Sequence, residues 1–135
     1  MEYQEYINRT QQASQLMNSG HLQETVDFLY LLFLSDISDI DKASVCANLA
    51  TVYDRMGNTE TALSWYEKGV DLEQIYSRFE VIEKKAQYLS QLGRSKDAVP
   101  IYENLIKQPF VSEADKERMR KTVQNLLGQT MRQWQ

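Results

Sequence analysis

Few residues in this chain have the chemistry of a catalyst, and those few stand apart from one another. His21 is the sole histidine and directly follows Gly20 at a turn, where a solvated polar residue is ordinary. Cys46 is the sole cysteine, with no histidine near it in sequence. It falls at a helical position that ordinarily packs, so it reads as an inert buried thiol rather than a nucleophile. One cysteine and one histidine cannot assemble a zinc site. The acid pairs Asp36 with Asp39, and Glu80 with Glu83, fall where a helix begins or on its exposed face. The field at a helix N-terminus accounts for the first pair. The five glycines are scattered over turns and one helix interior, so no loop is built to wrap a phosphate. The expectation is no catalytic residue, no cofactor and no metal, and a function that resides in surfaces that bind.

Those surfaces need a scaffold. At 135 residues, 42% hydrophobic and 25% charged, the chain has the make-up of one ordinary folded domain. Roughly two-thirds of the unfolded surface is buried at this size, so a core forms without disulfide or metal. A lone cysteine fits a reducing compartment, and a cytoplasmic location is expected. The opening "MEYQEYINRTQQ" lacks a basic segment followed by an apolar run, so no secretory signal is expected. The apolar run from Phe28 to Leu34 is far short of the roughly 20 residues that span a bilayer, which excludes membrane insertion there. Charge drifts along the chain, from −5 over residues 1–40 through −2 over 41–78 to +3 over 79–135, within a net −4. In "SEADKERMRK" the bases alternate with acids and no aromatic-basic pattern accompanies them, so a solvated helix face is expected rather than a nucleic-acid surface.

The strongest organisational signal is an internal repeat. Ala50, Tyr53, Gly57, Ala62, Tyr66 and Gly69 recur 36 residues later as Ala86, Leu89, Gly93, Ala98, Tyr102 and Leu105. They occur 37 residues earlier, more faintly, as Ala13, Leu16, Gly20, Thr25, Leu29 and Leu32. Such spacing describes paired antiparallel helices: small residues let the backbones approach, and large ones fill the space beside them. Gly20, Gly57 and Gly93 fall where the first helix of each pair must end, in the left-handed conformation glycine adopts at least cost. After Pro109, Ser112 with Asp115 has the spacing of a capping box. A last helix follows, with an apolar face of Met119, Val123, Leu126, Leu127, Met131 and Trp134. Seven helices are predicted, over about 3–18, 22–34, 42–56, 59–73, 77–92, 96–107 and 113–133.

This pattern resembles the tetratricopeptide repeat, over about four-fifths of the chain. The second unit matches strongly and the third, with "DAVPIYENL", well; the first substitutes Thr25 for an alanine and Leu16 and Leu29 for aromatics. The resemblance implies an all-α, right-handed α-α superhelix of about seven antiparallel helices, as a single domain over 1–135. Its repeats would be 3–37, 40–76 and 77–109, with a capping helix at 112–135. It also implies a concave groove along the first helices, with Gln11, Ser14, Asn48, Thr51, Arg55, Lys84 and Gln87 as candidates to hold a peptide. Thr10, Ala47, Asp54, Glu83 and Gln91 would line it further. Carboxamides at Asn48 and Gln87 can each donate to and accept from a peptide backbone. Some relatives clamp the C-terminal carboxylate of heat-shock chaperones; here Asn48 and Lys84 match that clamp, but Thr10, Ser14 and Glu80 do not. No such clamp is expected.

"FLYLLFL" in the first unit departs from the other two. The resemblance turns Leu29, Leu32 and Phe33 inward and leaves Tyr30, Leu31 and Leu34 on the convex side. The matching places hold Glu67, Lys68 and Asp71, then Glu103, Asn104 and Lys107. Burying three such apolar side chains would contribute about 1.5–3 kcal/mol each, and an exposed patch of this kind signals contact. Three covers are open: the amino-terminal residues, a second copy in a homodimer, or a different protein. Opposite charges at the two ends of the chain also allow head-to-tail stacking. The expected function is a non-catalytic scaffold or adaptor that binds a protein or peptide partner by groove, patch or both. The alternatives are a dedicated chaperone or peptide-sensing regulator, and a purely structural homo-oligomer.

Overall fold

The computed structural model describes residues 1–133, all of whose regular elements are α-helices: α1 (Tyr3–Asn18), α2 (Leu22–Phe33), α3 (Asp39–Arg55), α4 (Thr59–Gln74), α5 (Glu80–Gln91), α6 (Ser95–Ile106) and α7 (Glu113–Gln133). Trp134, placed by sequence on the apolar face of the last helix, lies outside the described residues. The chain forms two compact units, Met1–Ile75 with α1 to α4 and Tyr76–Gln135 with α5 to α7. In the first unit each helix packs on the next, around Tyr6, Ala13, Val26, Leu29, Leu32, Val45, Leu49 and Val52. In the second unit α6 packs on both α5 and α7, burying Val81, Ala86, Leu89, Ala98, Tyr102, Leu105 and Met119.

The repeat read from the sequence is physically present in the turns. Gly20, Gly57 and Gly93 all have positive φ, at 82°, 80° and 77°. At each, the glycine N–H donates to the carbonyl three residues back, Met17, Asp54 or Ser90. The next N–H reaches five residues back, from His21 to Leu16, Asn58 to Tyr53 and Arg94 to Leu89. That pair of bonds is the Schellman motif, formed three times with one geometry. The small positions between helices are buried in all three hairpins: Ala13, Ala50 and Ala86 in the first helices, Thr25, Ala62 and Ala98 in the second. Thr25 fits an alanine's place because its hydroxyl donates to the His21 carbonyl at 2.6 Å, leaving no polar atom unsatisfied.

Two helix starts differ by three residues from the sequence reading, and that of α6 by one. α3 begins at Asp39 rather than 42, because Ser38 caps it by accepting the Asp41 N–H at 3.1 Å. α5 begins at Glu80 rather than 77, because Ser77 takes a left-handed φ of 57° and interrupts the helix without a glycine or proline to announce it. At α7, Ser112 accepts the Asp115 N–H at 3.1 Å as expected. The reciprocal half of the box differs: Ser112 gives its hydroxyl proton to Asp115 Oδ2 at 2.9 Å, so that carboxylate is satisfied by the cap itself.

Candidate functional site

Within the first unit, α1 and α3 flank a small pocket floored by α2, lined by Thr10, Ala13, Ser14, Met17, Thr25, Leu29, Asn48, Thr51 and Val52. Its volume is about 60 Å³, where about 10–15 Å³ of such space is enough for one water molecule. Helix-internal bonds satisfy the threonines: Thr10 donates to the Tyr6 carbonyl at 2.8 Å and Thr51 to the Ala47 carbonyl at 3.1 Å. Ser14 and the Asn48 carboxamide make no hydrogen bond with any described residue, and neither is sealed from solvent. The pocket therefore pairs an apolar floor with two unspent polar groups.

Three of the seven groove candidates, Ser14, Asn48 and Thr51, thus meet in one place. Gln11 on α1 and Arg55 in the last turn of α3 are exposed outside the pocket lining. Lys84 and Gln87 are exposed on α5, in the second unit. Two further positions expected in the groove are not available to a ligand. Ala47 is buried in the core, and Glu83 is buried against Arg118.

The apolar segment of α2 divides as the repeat pattern implied. Leu29 and Leu32 are 2% and 1% exposed, whereas Tyr30, Leu31 and Leu34 are 45%, 67% and 59% exposed. The amino terminus is tied down nearby, its ammonium donating to the Asp36 carbonyl at 3.0 Å, yet Leu31 and Leu34 remain open. The amino-terminal residues are therefore not their cover. Beside this ridge lies a cluster that sequence reasoning missed. Phe33 and Trp65 meet edge to face with centroids 5.5 Å apart, and Tyr30 joins both at 6.5 and 6.1 Å. The Lys68 ammonium sits 5.4 Å from the Phe33 ring and 5.3 Å from Trp65, and that of Lys42 lies 5.7 Å from Phe33. Cations over ring faces are held by the negative face of the π system. The signal available was Trp65 itself, a large aromatic immediately before the repeat position Tyr66.

In the second unit α7 is fixed by charge as well as by packing. Arg118 donates to both carboxylate oxygens of Glu83 on α5, one of them at 3.2 Å, and to Asp115 Oδ1 at 3.1 Å. The Arg118 guanidinium and the Ser112 hydroxyl hold the Asp115 carboxyl below the usual carboxylate range. Those carboxylates in turn raise the pKa of Arg118. Burial pushes the Tyr102 phenol up, and the Glu83 charge adds to it. This network has the character of a fastening between helices.

The residues with chemical potential are dispersed here too. Cys46 is fully buried in α3, and burial pushes its thiol up to about 11, slightly opposed by the charge of Lys68. His21 is exposed, with Nδ1 3.6 Å from Glu24. Among the described residues, no three metal-ligating side chains gather, and no helix is long and apolar enough to cross a membrane.

Comparison with known proteins yields one family. A family model described as "Domain of unknown function (DUF6340)" matches residues 11–94, more than half of the chain. The matched segment holds the α1–α3 pocket apart from Thr10, the α2 ridge and all of α5. No curated protein matches the chain.

Proposed function

The chain belongs to the DUF6340 family, described as a domain of unknown function, and on that premise we propose, from its surfaces, a non-catalytic protein–protein interaction module. In this reading the three hairpins are tetratricopeptide-like units, and the module acts in the cytoplasm as a scaffold or adaptor. The threefold recurrence of one Schellman turn, 36 and 37 residues apart, supports the kinship. The single observation that carries the function is the α1–α3 pocket with its unbonded Ser14 and Asn48. A carboxamide at the lip of a small apolar pocket can read one peptide unit through both donor and acceptor, while the floor takes a small aliphatic side chain. The pocket volume limits that side chain to a few carbons.

The test is a displayed peptide library selected on the intact protein, followed by calorimetry on the selected sequences. Asn48→Ala is expected to weaken binding about tenfold while leaving the melting temperature in place, because a hydrogen bond to a partner is lost and no internal one is. A library that returns no binder, or binders indifferent to Asn48, would defeat the reading. A dedicated chaperone or peptide-sensing regulator is the narrower form of the same proposal, marked by one cognate sequence rather than many. The exposed ridge of Tyr30, Leu31 and Leu34 favours a second role, self-association, as a structural homo-oligomer.

A further inference from the structure

The exposed stripe of α2 is longer than its apolar part. Glu24, Asp27, Leu31 and Leu34 follow at three- and four-residue steps, with Tyr30 beside them, and all five are exposed. Residues so spaced share one helix face, here about 15 Å long at 1.5 Å per residue. The amino-terminal half of that face is acidic and the carboxy-terminal half apolar. Beside its apolar end, about a quarter-turn round the helix from Leu34, Phe33 gathers the two ammonium groups of Lys42 and Lys68. Neither makes an ion pair with a described residue, although Asp39 and Asp41 share α3 with Lys42, and Glu67 and Asp71 share α4 with Lys68. The acids at the other end are lightly engaged, Asp27 by Gln23 at 3.0 Å and Glu24 by His21 at 3.6 Å.

A face with acid at one end and, at the other, apolar side chains flanked by base is complementary to itself after a half-turn. We propose that this face binds a second copy of the chain through a two-fold axis near Leu31, with the two α2 helices antiparallel. Leu31 packs on Leu31 of the second copy, and Leu34 and Tyr30 close the apolar centre. Glu24 and Asp27 of each copy meet Lys42 and Lys68 of the other, so both ionic contacts are made twice. An isologous arrangement of this kind closes on itself and leaves no free ridge to propagate a filament. It also gives the lysines the carboxylate partners that they lack within one chain. The inference deepens the self-association role named above and rests on it.

The test is charge exchange, read by sedimentation velocity on the full chain. Wild type is expected to be a dimer. Asp27→Lys and Lys68→Glu each place like charges in contact twice and are expected to raise the dissociation constant at least about tenfold. The double variant Asp27→Lys with Lys68→Glu restores opposite charges and is expected to return to near the wild-type constant. So is an equimolar mixture of the two single variants, which associates as a heterodimer. All the exchanged side chains are solvent-exposed, and matching thermal melts establish that each variant is folded. Leu31→Ser, which adds no charge, supplies an independent disruption. A monomeric wild type overturns the proposal. So does a dimer that Leu31→Ser dissociates while the charge exchanges leave it unmoved, since that locates self-association on the ridge in another orientation. A monomer that binds a foreign protein sensitive to Leu31→Ser overturns the second copy as occupant while leaving the ridge a contact surface. Peptide selection at Asn48 is unaffected by any of these results, so the groove reading stands or falls separately.

Discussion

At the scale of single residues, Cys46 is the sharpest case of a reactive group withheld from solvent. Its place on a packed helical face was legible from the repeat spacing, and the structure buries it completely. Burial disfavours the thiolate, which is why the thiol rises from 9.0 to about 11. The consequence for stability has a definite sign. A folded-state pKa above the unfolded value means the native protein holds the proton longer, so stability is complete below pH 9.0 and falls as pH rises through about 11. Denaturant melts across that range are expected to slope downward, and less steeply in Cys46→Ala. The buried phenols of Tyr6, Tyr66 and Tyr102 bend the curve the same way, so the difference between the two proteins isolates the thiol. At pH 8 a thiol reagent should leave the native protein unmodified for as long as it takes to label a urea-unfolded control fully. Prompt native labelling would show that the thiol is reached without unfolding. The unbonded state of Asn48 and Ser14 was not legible, because sequence names a side chain without saying whether its neighbours have already satisfied it.

Elements were read more successfully than residues, and the reason is that their ends carry local signals. Gly20, Gly57 and Gly93 stop α1, α3 and α5 because the chain there must turn left-handed, and glycine announces that in sequence. Where the signal was absent the boundary moved. Ser77 takes the same region of φ without a glycine, and α5 starts three residues later than periodicity suggested. The lysine–aromatic cluster was invisible for a different reason: Phe33, Lys42 and Lys68 lie on three helices, and only packing brings them together. The turns support a quantitative expectation. A Cβ built at Gly57 meets nothing within 4 Å, so Gly57→Ala introduces no clash and its whole cost is conformational. That cost is about 1 kcal/mol. Gly20→Ala and Gly93→Ala should cost nearly the same, since φ and the open space match. Urea melts of the three variants measure it. Three unequal losses would mean that the turns are alike in geometry but differ in how much of the fold depends on each.

At the scale of the whole molecule, charge is the property that sequence displayed only as a drift and structure resolves into units. Residues 1–75 carry twelve acids against four bases, a net −8, and residues 76–135 carry seven acids against eleven bases, a net +4. A repeat boundary at 76/77 was legible, but nothing in the sequence said that the chain divides into units there and not between the first hairpin and the second. This polarity separates two ways in which copies of the chain could associate. Pairing through α2 sets one −8 unit against another, so distant charges oppose it while the local contacts of Glu24 and Asp27 with Lys42 and Lys68 favour it. Head-to-tail stacking would set −8 against +4, and distant charges would favour it. The Debye length is about 30 Å at 0.01 M salt, comparable with the width of a small domain, and about 8 Å at 0.15 M, where only charges near the contact count. Raising salt from 0.01 to 0.15 M should therefore leave the α2 dimer within a few-fold of its low-salt constant, because screening relieves the long-range repulsion while it weakens the local pairs, whereas head-to-tail contact should loosen steeply. Sedimentation equilibrium at the two salt concentrations reads the difference directly. Association that weakens steeply as salt is added would count against the two-fold arrangement and assign self-association to the oppositely charged units.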